Sequence, residues 1–314
     1  MGLNLTTKRT RKREFLDEMN RVVPWAALVE LITPYAPEGR RGRPPFAVQV
    51  MLRIHFMQQW FTLSDPSMEE ALHDTPLFRE FAGLTWDDRL PDETTILRFR
   101  RLLDTNKLAP QILGVVNELL GAKGLTLRTG TVVDATLIAA PSSTKNAGGE
   151  LDPEMKQSKK GNQWFFGMKA HIGVDAESGL VHTVRGTAGS VNDVVEANSL
   201  LHRDEVEAFG DARYQGAHKR VDAKPNVTWH VAMRPGKRKT LDLTQPIDAL
   251  TERIEKMKAS NRAKVEHPFR VIKRQFGHVK VRYRGLAKNT AQLHTLFALS
   301  NLWMARRSLM GARG

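Results

Sequence analysis

Three acidic residues stand out in a chain whose charge is otherwise mostly positive. Asp134 interrupts an apolar, β-branched run at residues 129–140. Asp211 follows a short apolar segment at residues 208–210, and Glu266 lies in Asn-Arg-Ala-Lys-Val-Glu-His-Pro-Phe-Arg. Because a carboxylate buried without a partner is strongly destabilising, an acid inside an apolar strand requires a counter-charge. We therefore take these three acids as the candidate site.

Carboxylates brought together from two strands and a helix would repel one another, and a divalent cation would relieve that repulsion. Two cations about 3.5–4 Å apart are typical of enzymes that cut phosphodiesters, where they act on the attacking and the leaving oxygen. The acids therefore indicate metal-dependent phosphodiester chemistry.

Each acid also has a purely structural interpretation. Asp134 could cap a turn at the end of its strand, and Asp211 could cap the Ala-Arg-Tyr-Gln-Gly turn that follows it. Glu266 could pair with Arg262 or Arg270, four residues to either side on a helix. These alternatives stay open at the level of sequence.

The positive charge is concentrated in three segments. The chain has 48 Lys and Arg against 34 Asp and Glu, a net charge of +14. The clusters are Lys8, Arg9, Arg11, Lys12 and Arg13; Arg40, Arg41 and Arg43; and Arg234, Lys237, Arg238 and Lys239. All three lie on terminal or Gly/Pro-rich segments, which suits binding to phosphate backbones. Any single cluster is equally compatible with a solvated surface, but together they favour a nucleic-acid partner.

Composition excludes several other classes of protein. The chain has no cysteine, which excludes disulfides, thiolate zinc sites and cysteine nucleophiles. It contains no phosphate-binding Gly-x-x-x-x-Gly-Lys loop, no Gly-x-Ser-x-Gly elbow and no His-Glu-x-x-His helix. The 10 histidines are scattered, so we expect no histidine metal site. No apolar run could span a membrane, so we expect a soluble, intracellular protein.

The pattern of hydrophobic residues divides the chain into a basic arm and two domains. We predict a basic arm at residues 1–14, a helical DNA-binding domain at 15–122 and an α/β domain with a mixed sheet at 123–310. Within the last domain we predict a mobile basic loop at 141–163 and a helix from Asp193 to about His202. A helix beginning near Ser67 is expected to be capped by that residue. Trp60, Trp229 and Trp303 are expected in the core, whereas Trp164 is not, because it lies beside the mobile loop.

Four segments resemble a known family. They are Val-Val-Asp-Ala-Thr-Leu-Ile (132–138), Phe-Gly-Asp-Ala-Arg-Tyr-Gln-Gly (209–216), Arg262-x3-Glu266-x6-Lys273 and Pro-Asp-Glu-Thr-Thr-Ile-Leu-Arg-Phe-Arg (91–100). In this order they resemble the DDE transposases of the bacterial insertion-sequence-five group, within the insertion-sequence-four superfamily. The segments span nearly the whole chain.

The resemblance implies an RNase H-like catalytic domain preceded by an all-helical domain. It implies two Mg²⁺ ions, replaceable by Mn²⁺, with Asp134, Asp211 and Glu266 as catalytic residues and metal ligands. Arg262 and Lys273 would be auxiliary DNA contacts. The superfamily's fuller signature expects a tyrosine where this chain has Ala259, so a role for that tyrosine does not carry over.

The resemblance also implies a partner and a reaction. The partner is double-stranded DNA, as the inverted-repeat ends of an element and as target, handled by a homodimer or higher oligomer at the bacterial nucleoid. Further candidate DNA contacts are Arg98, Arg100 and Arg101 on a basic helix, and Arg234, Lys237 and Arg238. The alternatives are a DNA-binding relic without activity and a nuclease without strand transfer.

Overall fold

A computed structural model describes residues 9–39, 43–126, 130–144, 148–202 and 205–311. Its described residues form two compact units. The helical unit lies within Met1–Leu119 and Ala298–Gly314, and the sheet unit lies within Leu120–Phe297. Among the described residues, no helix is both long and apolar enough to cross a membrane.

Seven α-helices in the described residues before β1 form most of the helical unit, the last of them ending just beyond it. They are α1 (Arg11–Val22), α2 (Trp25–Ile32), α3 (Val48–Phe61), α4 (Asp65–Asp74), α5 (Pro76–Ala82), α6 (Glu93–Thr105) and α7 (Leu108–Ala122). Hydroxyl and carboxylate side chains cap three of them, Thr10 on α1, Ser64 on α4 and Asp92 on α6. The expected cap at Ser67 is wrong, because its backbone N–H donates to Ser64 Oγ at 3.2 Å.

Aromatic side chains around α3 form the core of this unit. The ring of Trp60 is 5.4 Å from Phe15, 5.8 Å from Phe56 and 5.7 Å from Phe81. Trp60 is buried whereas Trp164 is 63% exposed, which agrees with the expectation for these two tryptophans.

The sheet unit is built on six strands. They are β1 (Gly130–Ala139), β2 (Lys156–Lys160), β3 (Gln163–Asp175), β4 (Val181–Ala188), β5 (Glu207–Gly210) and β6 (Thr228–Val231). The order is β2-β3-β1-β5-β6, with β4 also paired to β3. β1 is antiparallel to β3 and parallel to β5, and β5 is parallel to β6. The expected mixed sheet is therefore present.

Two segments differ from the sequence-based expectation. Residues 156–160 of the expected mobile loop form β2 and pair with β3; residues 145–147 of that loop lie outside the described part of the chain. The helix expected from Asp193 to His202 is two short 3₁₀ turns, Asp193–Val195 and Asn198–Leu200. The polar side chains there bind other elements, as when Asn198 Nδ2 donates to the carbonyl of Ala217 at 3.1 Å.

The remaining helices are α8 (Pro235–Arg238), α9 (Pro246–Ala263), α10 (Glu266–Arg270) and α11 (Leu286–Gly311). A π-helical turn, Val271–Gln275, follows α10. The last residues of α11 belong to the helical unit, although the sequence-based domain ran to residue 310. They are held there because Asn301 Nδ2 donates to Asn117 Oδ1 at 3.0 Å and Arg306 Nε lies 2.8 Å from Glu18 Oε2.

Candidate active site

The strand register brings two of the three acids together. β1 and β5 run parallel, with Val132 opposite Phe209. Two residues further along the chain lie Asp134, within β1, and Asp211, directly after the end of β5. Neighbouring strands are about 4.8 Å apart, so this register makes the two acids neighbours on one face of the sheet.

Asp134 carries the strongest electrostatic signature of the site. It is half-buried, and its Oδ1 accepts the backbone N–H of Ala135 at 2.7 Å. Burial, reinforced by the negative charges of Asp211 and Glu266, raises the pKa of Asp134 to about 7, while Arg262 opposes that shift. The side chains predicted from sequence therefore share one electrostatic neighbourhood.

Asp211 also performs the structural role considered for it. It precedes a 3₁₀ turn, Ala212–Tyr214, and its Oδ1 accepts the backbone N–H of Arg213 at 2.8 Å. Within the described residues only this oxygen of the carboxylate is engaged. Capping the turn fixes the side chain beside Asp134, so the structural and the catalytic interpretation are compatible.

Glu266 lies at a break between helices. α9 ends at Ala263 and α10 begins at Glu266, which is exposed. Lys264 anchors the break, since its Nζ donates to the carbonyl of Ala176 at 2.6 Å. In the described part of the chain Glu266 forms no ion pair with Arg262 or Arg270, so the helix-stabiliser alternative is not realised.

Arg262 and Lys273 do not lie on one continuous straight helix, so the helical period does not give their positions relative to Glu266. The break after Ala263 and the π-helical turn interrupt the helical period between them. Lys273 Nζ donates to Thr136 Oγ1 at 2.6 Å and to the carbonyl of Leu137 at 3.0 Å. Thr136 shares a face of β1 with Asp134 because side chains alternate along a strand. Lys273 is therefore held beside the acids by β1.

Thr136 is a site residue that the sequence analysis missed. The signal was present, since a hydroxyl two residues after a strand acid faces the same side of the sheet. What the sequence could not supply was its partner Lys273, which lies 137 residues away.

The other candidate DNA contacts fall into two groups. Arg98, Arg101, Arg234 and Lys237 are exposed. Arg100 forms a two-pronged ion pair with Asp65, at 2.5 and 2.7 Å. Arg238 pairs with Glu252 in the same manner, with both distances 2.9 Å. The structure therefore uses Arg100 and Arg238 internally and presents the other four to solvent.

The basic residues at the N-terminus and around Gly42 differ in their surroundings. Lys8, Arg40 and Arg41 lie outside the described residues. Arg9, Arg11 and Arg43 are exposed. Arg13 pairs with Glu80 at 2.7 Å, and Lys12 lies over the rings of Phe61 and Phe78.

Two histidines and a glutamate form a cluster that the sequence spacing did not indicate. His182, His202 and Glu205 place potential metal-binding atoms within 4.8 Å of one another, the one such trio among the described residues. Two histidines and a glutamate are a donor set that zinc accepts. Sequence spacing missed the cluster because β4 and the segment before β5 meet only in the fold.

Hydrogen bonds already join the members of this cluster. The hydroxyl of Thr131 donates to Glu205 Oε1 at 3.0 Å and lies 3.1 Å from His182 Nε2, which can donate to it. Lys224 Nζ is 3.6 Å from the other carboxylate oxygen, Oε2. Glu205 Oε1 is hydrogen-bonded, whereas the buried Oε2 has no hydrogen-bond partner among the described residues and only ion-pair contacts. These contacts fasten the segment before β5 to the sheet.

The acids at the sheet are the better match for a hard divalent cation. Mg²⁺ and Mn²⁺ prefer oxygen ligands, which Asp134, Asp211 and Glu266 supply. Burial and the negative charges of Asp211 and Glu266 raise the pKa of Asp134, whereas the N–H of Ala135 and the charge of Arg262 oppose that rise. The carboxylate oxygens of the three acids are not all within 4.8 Å of one another in the described residues.

Comparison with known proteins gives two matches. Residues 126–302 match the family model described as Transposase DDE domain. Residues 4–102 match the model described as Transposase domain (DUF772). No solved structure matches the chain. The first match contains all three acids, and the second contains Arg98, Arg100 and α3.

Proposed function

This chain belongs to the transposase DDE domain family, and from that premise we propose that it is the transposase of a bacterial insertion sequence. It binds the ends of its element, cleaves them in a metal-dependent reaction and transfers the strand to target DNA. One observation carries this proposal: Asp211 and Glu266 both act electrostatically on the half-buried Asp134.

The strand order supports an RNase H-like fold for the sheet unit. Antiparallel β1, β3 and β4 lie beside parallel β5 and β6. The first acid lies on β1, and the second directly follows the adjacent strand β5. The sequence motifs favour the insertion-sequence-five group. The position at which the wider superfamily has tyrosine is Ala259, on α9.

Asp134, Asp211 and Glu266 would hold the divalent cations, which we propose to be two Mg²⁺ ions replaceable by Mn²⁺. When bound, such ions activate the attacking oxygen and stabilise the leaving one. The carboxylates fit this role chemically because they supply oxygen ligands, and because Asp211 and Glu266 both act on the charge of Asp134.

Cations around the acids would orient the DNA strand. Arg262 acts on Asp134 without a hydrogen bond within the described residues, so its guanidinium is available for a phosphate. Lys273 is positioned by Thr136 and adds positive charge on the same face. Both residues would hold backbone phosphates next to the bond that is cut.

Specific binding of the ends is proposed for the helical unit. Arg98 and Arg101 are exposed on α6, and Arg234 and Lys237 supply further contacts with duplex DNA. The protein would act as a homodimer or higher oligomer on two ends, in the cytoplasm at the nucleoid.

Substitution of each acid tests the proposal. Asp134→Asn, Asp211→Asn and Glu266→Gln should each abolish cleavage of an end duplex in Mg²⁺ or Mn²⁺, while binding persists. The matched control is Glu177→Gln, an exposed glutamate of the β3–β4 turn. Cleavage by Glu266→Gln at the wild-type rate would exclude Glu266 as third ligand.

Joining assays separate the alternatives. Supplying target DNA should give joined products. Cleavage without joining would indicate a nuclease, and end binding without cleavage by the wild type would indicate a DNA-binding relic.

A further inference from the structure

A polar cavity of about 260 Å³ lies on the sheet unit, against the strand that carries Asp134. Ala135 and Leu137 contribute to its wall, and along β1 they alternate with Asp134 and Thr136. The cavity therefore lies on the side of β1 opposite the acids. Residues from β2, β3 and the turns after β4 and β5 complete it.

Three cations and one carboxylate line this cavity. Lys159, Lys169 and Arg213 are the cations and Asp193 is the acid. With one negative charge against three positive ones, the formal charge of the lining is +2. Such an excess attracts anions, and it attracts them more strongly in a recess than on an open surface.

The carboxylate organises the cations. Asp193 is 2% exposed; its Oδ1 accepts from Lys169 Nζ at 2.7 Å, and its Oδ2 lies 3.4 Å from Arg213 Nη1. Lys169 is further fixed by the carbonyl of Val191 at 2.7 Å. The contact of Arg213 is long and its side chain is 54% exposed, so its guanidinium can turn to an incoming anion. Because both oxygens of Asp193 face cations, the cavity does not suit a metal ion.

Neutral donors complete the lining. Ser158 and Ser190 contribute hydroxyls that make no hydrogen bond within the described residues. Asn192 uses Oδ1 to cap the first 3₁₀ turn, which leaves its amide N–H groups as donors. Fixed cations with several hydroxyl and amide donors are the recognition set of a tetrahedral oxyanion.

We propose that this cavity is a phosphate-binding site and that, in the working enzyme, it receives a phosphate of the DNA backbone. The second step rests on the proposed function. One short connection links the cavity to the acids: Asp211 accepts the backbone N–H of Arg213 at 2.8 Å, so a single turn supplies a proposed metal ligand and a wall of the cavity.

The first experiment uses the full chain without DNA. Inorganic phosphate, added at constant ionic strength, should raise the melting temperature of the wild type. Arg213→Gln and Lys159→Gln should each weaken phosphate binding at least about tenfold, as expected for loss of one charged hydrogen bond. Lys219→Gln, an exposed cation six residues after Arg213 and outside the cavity, is the matched control. Equal stabilisation of the wild type and both cavity variants would overturn the proposal.

The second experiment asks whether the phosphate belongs to DNA. Binding of an end duplex is measured against salt in metal-free buffer, where cleavage does not interfere. Arg213→Gln should reduce the slope of log K against log salt by about one unit, and Lys219→Gln should not. A weaker response to phosphate with an unchanged slope would overturn the DNA assignment. If the wild type bound no end duplex, the proposed function would fail while the phosphate experiment still decided the site.

Discussion

Asp134 destabilises the folded protein in the ionised form that metal binding requires. Its carboxylate is half-buried, next to two other acids, and its pKa is raised to about 7. A folded protein that raises the pKa of an acid is destabilised by the ionised form. The site therefore stores unfavourable charge that a bound cation would relieve.

Asp134→Asn should stabilise the protein in metal-free buffer at pH 8. The amide keeps an acceptor for the N–H of Ala135 and removes the repulsion by Asp211 and Glu266. The gain should be on the order of 2–3 kcal/mol in the free energy of unfolding. Added Mn²⁺ should stabilise the wild type and not the variant. A variant less stable than the wild type at pH 8 would contradict the electrostatic account.

Arg262 and Lys273 need different tests because their contacts differ. Replacing Lys273 removes two hydrogen bonds to β1 and so changes stability as well as DNA binding. The side chain of Arg262 makes no hydrogen bond within the described residues, so its replacement should change DNA binding with little effect on stability.

Arg262→Gln should therefore weaken binding of pre-nicked ends and reduce the salt slope by about one unit. Its free energy of unfolding should change by less than about 0.5 kcal/mol. Arg270→Gln, an exposed arginine on α10, is the control. An unchanged slope for Arg262→Gln would remove this residue from the DNA path.

The sequence predicted the helices and strands that are determined by interactions between residues close together in the chain. The β-branched run with Asp134 indicated β1, and the basic helix expected around Arg98 is α6. The polar strand β2 was missed because a lysine-rich edge strand carries no apolar alternation. The segment after Asp193 was misread because its side chains bind distant partners such as Lys169. The sequence likewise cannot reveal that β1 and β5 are parallel neighbours, which is what unites Asp134 with Asp211.

Helix α6 shows why residue type alone does not identify a DNA contact. Arg98 and Arg101 are exposed, whereas Arg100 is bound to the carboxylate of Asp65, which also accepts from Gln58 at 2.9 Å. The three arginines look alike in the sequence because the partner of Arg100 lies on another helix.

Arg100→Ala should destabilise the protein by about 3 kcal/mol, because it leaves the largely buried carboxylate of Asp65 without its counter-charge. Arg98→Ala and Arg101→Ala should leave stability within about 0.5 kcal/mol and weaken binding of end DNA. Denaturant unfolding and end-binding titrations check both statements. If Arg100→Ala weakened DNA binding without loss of stability, and Arg98→Ala and Arg101→Ala left binding unchanged, α6 would contact DNA through a different face.

For the whole molecule, buried neutral histidines limit acid stability. Burial lowers the pKa of His55, His171 and His278 to about 4. Around His55 lie Arg100, which lowers its pKa further, and Asp65, which raises it. As the pH falls below 6.5, the unfolded chain takes up protons that the folded chain resists.

The stability contributed by these histidines should therefore be complete above about pH 6.5 and should fall as the pH approaches 4, by up to about 3 kcal/mol for each histidine, which together outweighs the opposite effect of protonating Asp134. His55→Met should flatten part of this dependence because it removes one titrating group from the core. His267→Gln, an exposed histidine, is the control and should leave the profile unchanged. A wild-type profile that is flat from pH 7 to 4 would contradict the burial argument.

The lysine-rich strand β2 has a consequence for how copies of this protein meet. β2 lies at the edge of the sheet, where unpaired backbone groups would otherwise accept a strand from another molecule. Lys156 and Lys159 put positive charge on that edge, so the β2 edges of two copies repel each other. Aggregation of free copies through this edge is therefore disfavoured. Two copies can associate through other surfaces, or through this edge once DNA has neutralised its positive charge.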